Sequence, residues 1–93
     1  ARDLAFVVDT SVEAHQIQEC IKANGGKYLR NVRVFDVFSG KAAKEALGEG
    51  KKSVAFAMEF NSTEKTLEDA EIEASINAII QNVQQRLGAT LRS

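Results

Sequence analysis

The sequence predicts an α+β sandwich of order βαββαβ, in which a four-stranded antiparallel sheet carries two helices on one face. Three observations predict it. Lys52 to Asn61 alternates cleanly, with Val54, Phe56, Met58 and Phe60 on one side and Ser53, Ala55, Ala57 and Glu59 on the other. Ile72, Ile76, Ile79, Ile80, Val83 and Leu87 recur at helical spacing and form one apolar stripe. Leu4 to Val8 is a continuous apolar run of strand length, the pattern of a central, buried strand.

Taken in order, the first strand covers Leu4 to Asp9. Thr10, with Glu13 three residues on, has the pattern of a capping box and is expected to open the first helix. Val12, Ile17, Cys20, Ile21 and Asn24 follow at roughly helical spacing, and Gly25-Gly26 ends the run. A second strand is expected from Tyr28 to Ser39. Within it Val32 and Val34 share one parity, whereas Phe35 and Val37 share the other. A β-bulge near Val34-Phe35 reconciles them, placing both apolar pairs on the core face and Asp36 and Phe38 on the opposite one. Gly40 to Lys51 reads as a polar loop of about a dozen residues with a helical turn at Lys41 to Leu47. After the third strand, Thr66 with Asp69 is expected to cap the second long helix, which Gly88 stops. Ala89 to Arg92 supplies a short closing strand. This order gives a ferredoxin-like fold with one sheet face left open, and binding is expected there.

The chain has 93 residues, enough for one domain whose folding buries ~60–65% of the exposed surface of the unfolded chain. A hydrophobic fraction of 44% beside 27% charged residues suits an ordinary globular domain. No apolar run approaches the ~20 residues of a membrane span, so no membrane partner is expected. The start at Ala1-Arg2-Asp3, without an initiating Met, is read as that of a fragment excised from a longer chain. A lone Cys20 fits a reducing cytoplasm. The net charge of −1 argues against a generic nucleic-acid patch, yet the distribution is uneven. Lys27 to Lys52 carries a local charge of +4 and Glu64 to Glu73 one of −4, an asymmetry able to steer a polyanion.

Residues suited to catalysis are scarce. His15 is the single histidine and has no neighbouring ligand in the pattern; Cys20 lies on an apolar stripe and no Cys-x-x-Cys occurs. The turn Asp9-Thr10-Ser11 repels anions, unlike the arginine-bearing phosphate cradle of acylphosphatases, which share this topology. Gly48-x-Gly50-Lys51-Lys52 lacks P-loop spacing and enters a strand. The chain therefore reads as a binding module with no enzyme activity and no cofactor of its own. Glycine and lysine near a sheet edge do suit a sugar-phosphate backbone. Sheets that bind RNA commonly stack bases on aromatics, but parity sends Phe56 and Phe60 to the core. The open face instead offers Asp36 and Phe38 beside small Ser53, Ala55 and Ala57, which make either a shelf for one base or a half-exposed Phe38 covered by the long loop.

Three segments carry a resemblance: Val34-Phe-Asp-Val-Phe-Ser-Gly40, Glu49-Gly-Lys-Lys-Ser-Val-Ala-Phe56 and Lys65-Thr-Leu-Glu-Asp-Ala-Glu-Ile72. With Arg2-Asp-Leu-Ala5 and Arg86-Leu-Gly-Ala-Thr-Leu-Arg92, they make the chain similar to the ferredoxin-fold anticodon-binding domain that ends the β subunit of bacterial phenylalanyl-tRNA synthetase. The resemblance implies binding of the anticodon stem-loop of phenylalanine tRNA through the open face, in the cytoplasm. It implies the rest of the β subunit and the α subunit as partners in a heterotetramer, with ATP, magnesium and catalysis residing in the α subunit. The family's Phe-Asp-x-Tyr-x-Gly segment places Asp36 and Phe38 at the first anticodon base, with Phe38 where Tyr is common. Ser53 and Ala55 match its Lys-Ser-x-Ala strand and would line the same shelf. Lys41, Lys44, Lys51 and Lys52 are the expected phosphate contacts, on a loop a little longer than the family's usual one. Two other readings share the topology: a small-molecule regulatory domain of the ACT type, whose Gly-rich turn after the first strand is missing here, and a purely structural docking domain.

Overall fold

The computed structural model describes residues 2–92; Ala1, with which the expected domain begins, and Ser93 lie outside the described residues. Seven elements follow one another: β1 (Arg2–Asp9), α1 (Ala14–Asn24), β2 (Leu29–Phe38), α2 (Lys41–Leu47), β3 (Lys51–Phe60), α3 (Asp69–Leu87) and β4 (Thr90–Leu91). The sheet order is β2-β3-β1-β4, and every pairing is antiparallel. This is the expected βαββαβ sandwich, with α2 as a short third helix in the connection between β2 and β3.

The alternation in β3 does what its parity requires. Val54, Phe56 and Met58 are fully buried with Phe6 and Val8 of β1, and α1 and α3 close over them through Ile17, Ile21, Ile79 and Val83. Each large apolar side chain so buried stabilises the fold by ~1.5–3 kcal/mol. Phe60 and Leu29 pack partly buried at the margin of this core. α1 and α3 also touch each other, so the helix layer and the sheet share one apolar interior.

Both long helices begin later than their threonines suggested. The N-cap of α1 is Glu13, whose backbone N–H donates to Gln16 Oε1 at 2.8 Å, completing a reciprocal box in which the Glu13 side chain accepts from the third helical N–H. Thr10 belongs instead to the turn, where its N–H donates to the Gly50 carbonyl at 2.9 Å. The N-cap of α3 is Glu68, paired in the same way with Glu71, while Thr66 lies in the preceding loop. In both cases the longer acid with a partner three residues on supplies the same two hydrogen bonds as the expected Thr box. α3 stops at Gly88, at φ 64°, ψ 23°, whose N–H donates to the Gln84 carbonyl at 3.1 Å. A residue with a Cβ would be strained in this left-handed conformation.

The bulge in β2 is present: Val34 pairs with Phe56 and Asp36 with Ala55, leaving Phe35 as the extra residue. It does not bury both apolar pairs. Val32 is buried and Val34 packs on the core, but Phe35 and Val37 are each 48% exposed. Phe35 is the unpaired residue of the bulge. Val37 pairs with Val54 and so lies on the helix side, at the outer edge of the sheet where it is left half uncovered.

At the opposite end of the sheet from α2, Tyr28 lies between two ammonium groups, Lys27 at 5.1 Å and Lys65 at 5.7 Å from the ring centroid. Lys65 also meets Glu71 at 2.6 Å. That hydrogen bond holds the Glu71 carboxyl below its ordinary range and raises the Lys65 ammonium above its own. No helix among the described residues is long and apolar enough to cross a membrane.

Candidate nucleic-acid interface

The sheet face turned away from the helices carries Ser53, Ala55, Ala57 and Ala5 on its central strands and the candidate contact residues Asp36 and Phe38 at its β2 edge. Directly paired residues share a face, and strand neighbours lie ~4.8 Å apart. The register therefore defines transverse rows. One row runs Phe38, Ser53, Val7 and Thr90 across all four strands. The next holds Asp36, Ala55 and Ala5, and Arg92 extends it, since its N–H donates to the Ala5 carbonyl at 2.8 Å. A third row holds Arg33, Ala57 and Asp3. The bulge makes this possible. Without the extra residue at Phe35, Asp36 and Phe38 would fall on the parity of the core residues Val32 and Val34.

The expected shelf residues Asp36, Phe38, Ser53 and Ala55 are thus brought together in two adjacent rows. Asp36 is exposed at the sheet edge, and Ala55 makes the floor beside it. Ser53 is only 3% exposed, so it lies beneath other side chains and is not part of the accessible surface. The residue that sequence reading did not single out is Arg92. Its guanidinium carbon stands 4.9 Å from the centroid of the Phe38 ring, although the two residues come from opposite edges of the sheet. Arg92 thus reaches across the small residues of the central strands and places a planar cation on the aromatic face. The Thr90–Leu91 pairing that aims it there is two residues long, too short for its register to be read from sequence.

The four lysines expected at phosphate are spread over different surroundings. Lys41 and Lys44 are exposed on α2, which Ala43 anchors by its full burial and which leaves β2 through Gly40 at φ 82°. Lys41 makes no ion pair among the described residues, whereas Lys44 meets Glu49 at 3.4 Å. Lys51 pairs with Asp9 across the β1–β3 ladder and shares the open face, where the two side chains are 2.6 Å apart. Lys52 pairs with Val8, a core residue, so its side chain leaves on the helix side and is not brought to the shelf. A shallow pocket lined by Lys22, Leu29, Arg30, Asn31 and Val32 lies between α1 and the outer edge of β2, away from these rows.

Catalytic groupings are not assembled. His15 is exposed on α1, and Cys20 is half-buried against the core. Among the described residues no three His, Cys, Asp or Glu side chains cluster so as to hold a metal ion.

The family described as ferredoxin-fold anticodon binding domain matches residues 1–92 of the chain. The chain belongs to this family. It is 43% identical over 91 residues to the phenylalanine–tRNA ligase beta subunit of Vibrio cholerae, an alignment that covers 98% of this chain and 11% of that protein. It is 41% identical over 92 residues to the beta subunit of Halalkalibacterium halodurans, covering 99% of this chain, and 44% identical over 91 residues to that of Cereibacter sphaeroides, covering 98%. The ferredoxin-fold anticodon-binding domain thus spans 11% of the length of each of these relatives.

Proposed function

We propose that this domain binds the anticodon stem-loop of phenylalanine tRNA through the open face of its sheet, as a module of a phenylalanyl-tRNA synthetase β subunit working in cytoplasmic protein synthesis. The carrying observation is the pair of adjacent rows in which Phe38 and Asp36 flank small residues, with a planar cation already stacked on the aromatic ring. A nucleobase is also planar and π-rich, and base–aromatic stacking contributes ~1–3 kcal/mol. One row along, the exposed Asp36 carboxylate accepts hydrogen bonds from N–H groups on a base edge, which suits the Watson–Crick edge of guanine.

In this reading the first anticodon base lies on Phe38 and the Arg92 guanidinium retreats to the base's outer face. Lys41, and Lys51 when released from Asp9, meet the phosphates on either side. The domain has no chemistry of its own. Activation of phenylalanine with ATP and magnesium, and its transfer to tRNA, belong to the α subunit of the assembled heterotetramer. The same two rows give an ACT-type regulatory reading no support, because the groups they expose are suited to stacking and base-edge recognition.

Fluorescence anisotropy of a labelled stem-loop, beside one altered at the first anticodon base, tests the proposal. Weaker binding of the altered loop is expected at both low and moderate salt. Equal binding of the two would leave only nonspecific electrostatics and overturn base readout at Phe38.

A further inference from the structure

The sheet has one long free edge. β2 is its outermost strand, ten residues from Leu29 to Phe38, and among the described residues no strand pairs with its outer side. Two of the large apolar side chains that the described residues leave exposed, Phe35 and Val37, lie on it. Arg33 and Asp36 beside them are also exposed, and neither makes an ion pair among the described residues. An unpaired strand edge with apolar side chains is a template for another strand.

The bulge decides which strand fits. Before it, Val32 and Val34 lie on the helix side opposite Met58 and Phe56, and Arg33 lies on the open side opposite Ala57. Beyond the extra residue Phe35 the parity is reversed. Asp36, opposite Ala55, is on the open side, and Val37, opposite Val54, is on the helix side. A strand of unbroken alternation matches only one half of such an edge. A second copy of β2, laid antiparallel about a two-fold axis between Val34 and Phe35, carries the same reversal at the same place and matches both halves. In that register Val32 faces Val37 of the second copy, Val34 and Phe35 meet about the axis, and Arg33 faces Asp36 of the second copy. The symmetry makes each pair twice. A slip of one residue sets open-side residues against helix-side ones, and a slip of two separates Arg33 from Asp36. The ladder ends at Val32, whose carbonyl accepts from the Gln18 side-chain amide at 2.8 Å and keeps a second lone pair for a strand donor.

We infer that β2 is a self-complementary edge through which two copies of this chain pair antiparallel, with Arg33 and Asp36 as reciprocal cross-strand ion pairs and Phe35 and Val37 covered. So short a ladder lies at the low end of specific interfaces, so the pairing is weak and reversible. It engages Asp36, the carboxylate that the proposed function offers to a base edge, and the paired form is closed to that use. The pairing rests on the strand alone and not on RNA binding.

Sedimentation velocity of the 93-residue chain, at concentrations up to about one millimolar where weak pairing is populated, tests the inference. A monomer–dimer equilibrium is expected. Arg33→Asp and Asp36→Arg each turn two attractive pairs into two repulsive ones and are expected to weaken association roughly ten-fold. Combining the two substitutions exchanges the signs of both pairs and is expected to return association close to the parent level. Both side chains are exposed, and unchanged circular dichroism confirms that the variants fold. A monomer at every concentration overturns the inference and leaves the edge to a strand of another protein. Association that ignores the single reversals, or that the combined variant does not recover, overturns it too, because the contact then lies on another surface.

Discussion

Arg92 lies over Phe38 from the far edge of the sheet, its guanidinium carbon 4.9 Å from the ring centroid. Ser53, in the row between Phe38 and Val7, is almost wholly buried. At an exposed site a cation–π pair of this kind contributes ~0.5–1 kcal/mol. Arg92→Ala should therefore change the stability of the domain little. In RNA binding, however, it removes both a stacking plane and a charge. Weaker binding is expected, with a salt dependence shallower by less than the ~0.7 of a full phosphate contact on a single strand, because the guanidinium lies on the base. Arg92→Lys should restore the salt slope but not the full affinity, because an ammonium lacks the planar fork. Tighter binding by Arg92→Ala would show that the arginine blocks the ring instead of completing the site.

Phe38 is the one aromatic residue of its row, since its row-mates Ser53, Val7 and Thr90 are not aromatic. The whole stacking surface at this row is thus one ring. Phe38→Ala is expected to cost ~1–3 kcal/mol of binding, and Phe38→Tyr to leave affinity at or above the parent level, since the ring survives. Anisotropy titrations measure both. Equal affinity of Phe38→Ala and the parent would remove the stacking role.

The lysines make a contrast that sequence alone could not. Lys51 lies on the open face but is engaged by Asp9, and Lys52 leaves on the helix side. Asp9→Asn keeps the shape of the turn, frees Lys51 and removes a negative charge from the RNA side, so binding at low salt should strengthen severalfold. Lys41→Ala should lower the salt slope, whereas Lys52→Ala should leave it unchanged. A slope that drops with Lys52→Ala and not with Lys41→Ala would place the phosphate path on the other rim.

Much of this architecture was legible because period-2 and helical patterns report burial directly. The stripe from Ile72 to Leu87 and the alternation in β3 mark the faces that become the core, and the parity conflict at Val34-Phe35 marks the bulge. What was not legible depends on the third dimension. Phe35 and Val37 have the hydrophobicity of core residues, but the sheet edge on which they lie is not covered by the helices. Thr10 and Thr66 are good caps by residue type, yet Glu13 and Glu68 find reciprocal partners in Gln16 and Glu71 and set the helix starts. Arg92 lies far from Phe38 along the chain, and no local pattern links them. A family resemblance could name Asp36 and Phe38, whereas the arginine that covers the ring is visible only in the assembled sheet.

Gly25 gives a stability prediction in which two effects oppose each other. It ends α1 in an ordinary right-handed conformation, φ −83°, ψ −9°, where alanine is free of backbone strain. Entropy alone would then make Gly25→Ala stabilising by ~0.4–1 kcal/mol. But Gly25 is buried, and a Cβ there would run into Leu29 Cδ2 and come within 3.0 Å of Leu29 Cβ and 3.1 Å of its Cγ. The terminal methyl can rotate away, whereas the Cβ is fixed to the first residue of β2 and can move only with the strand. Overpacking of this sort costs ~1–3 kcal/mol, so the clash should win and the urea midpoint of Gly25→Ala should fall. A Leu29→Ala background removes the Cγ and Cδ2 contacts but keeps the Cβ at 3.0 Å, so the same substitution should cost less there without becoming stabilising. A double-mutant cycle with no coupling between the two positions would show that the α1–β2 corner is looser than the packing of Gly25 on Leu29 implies.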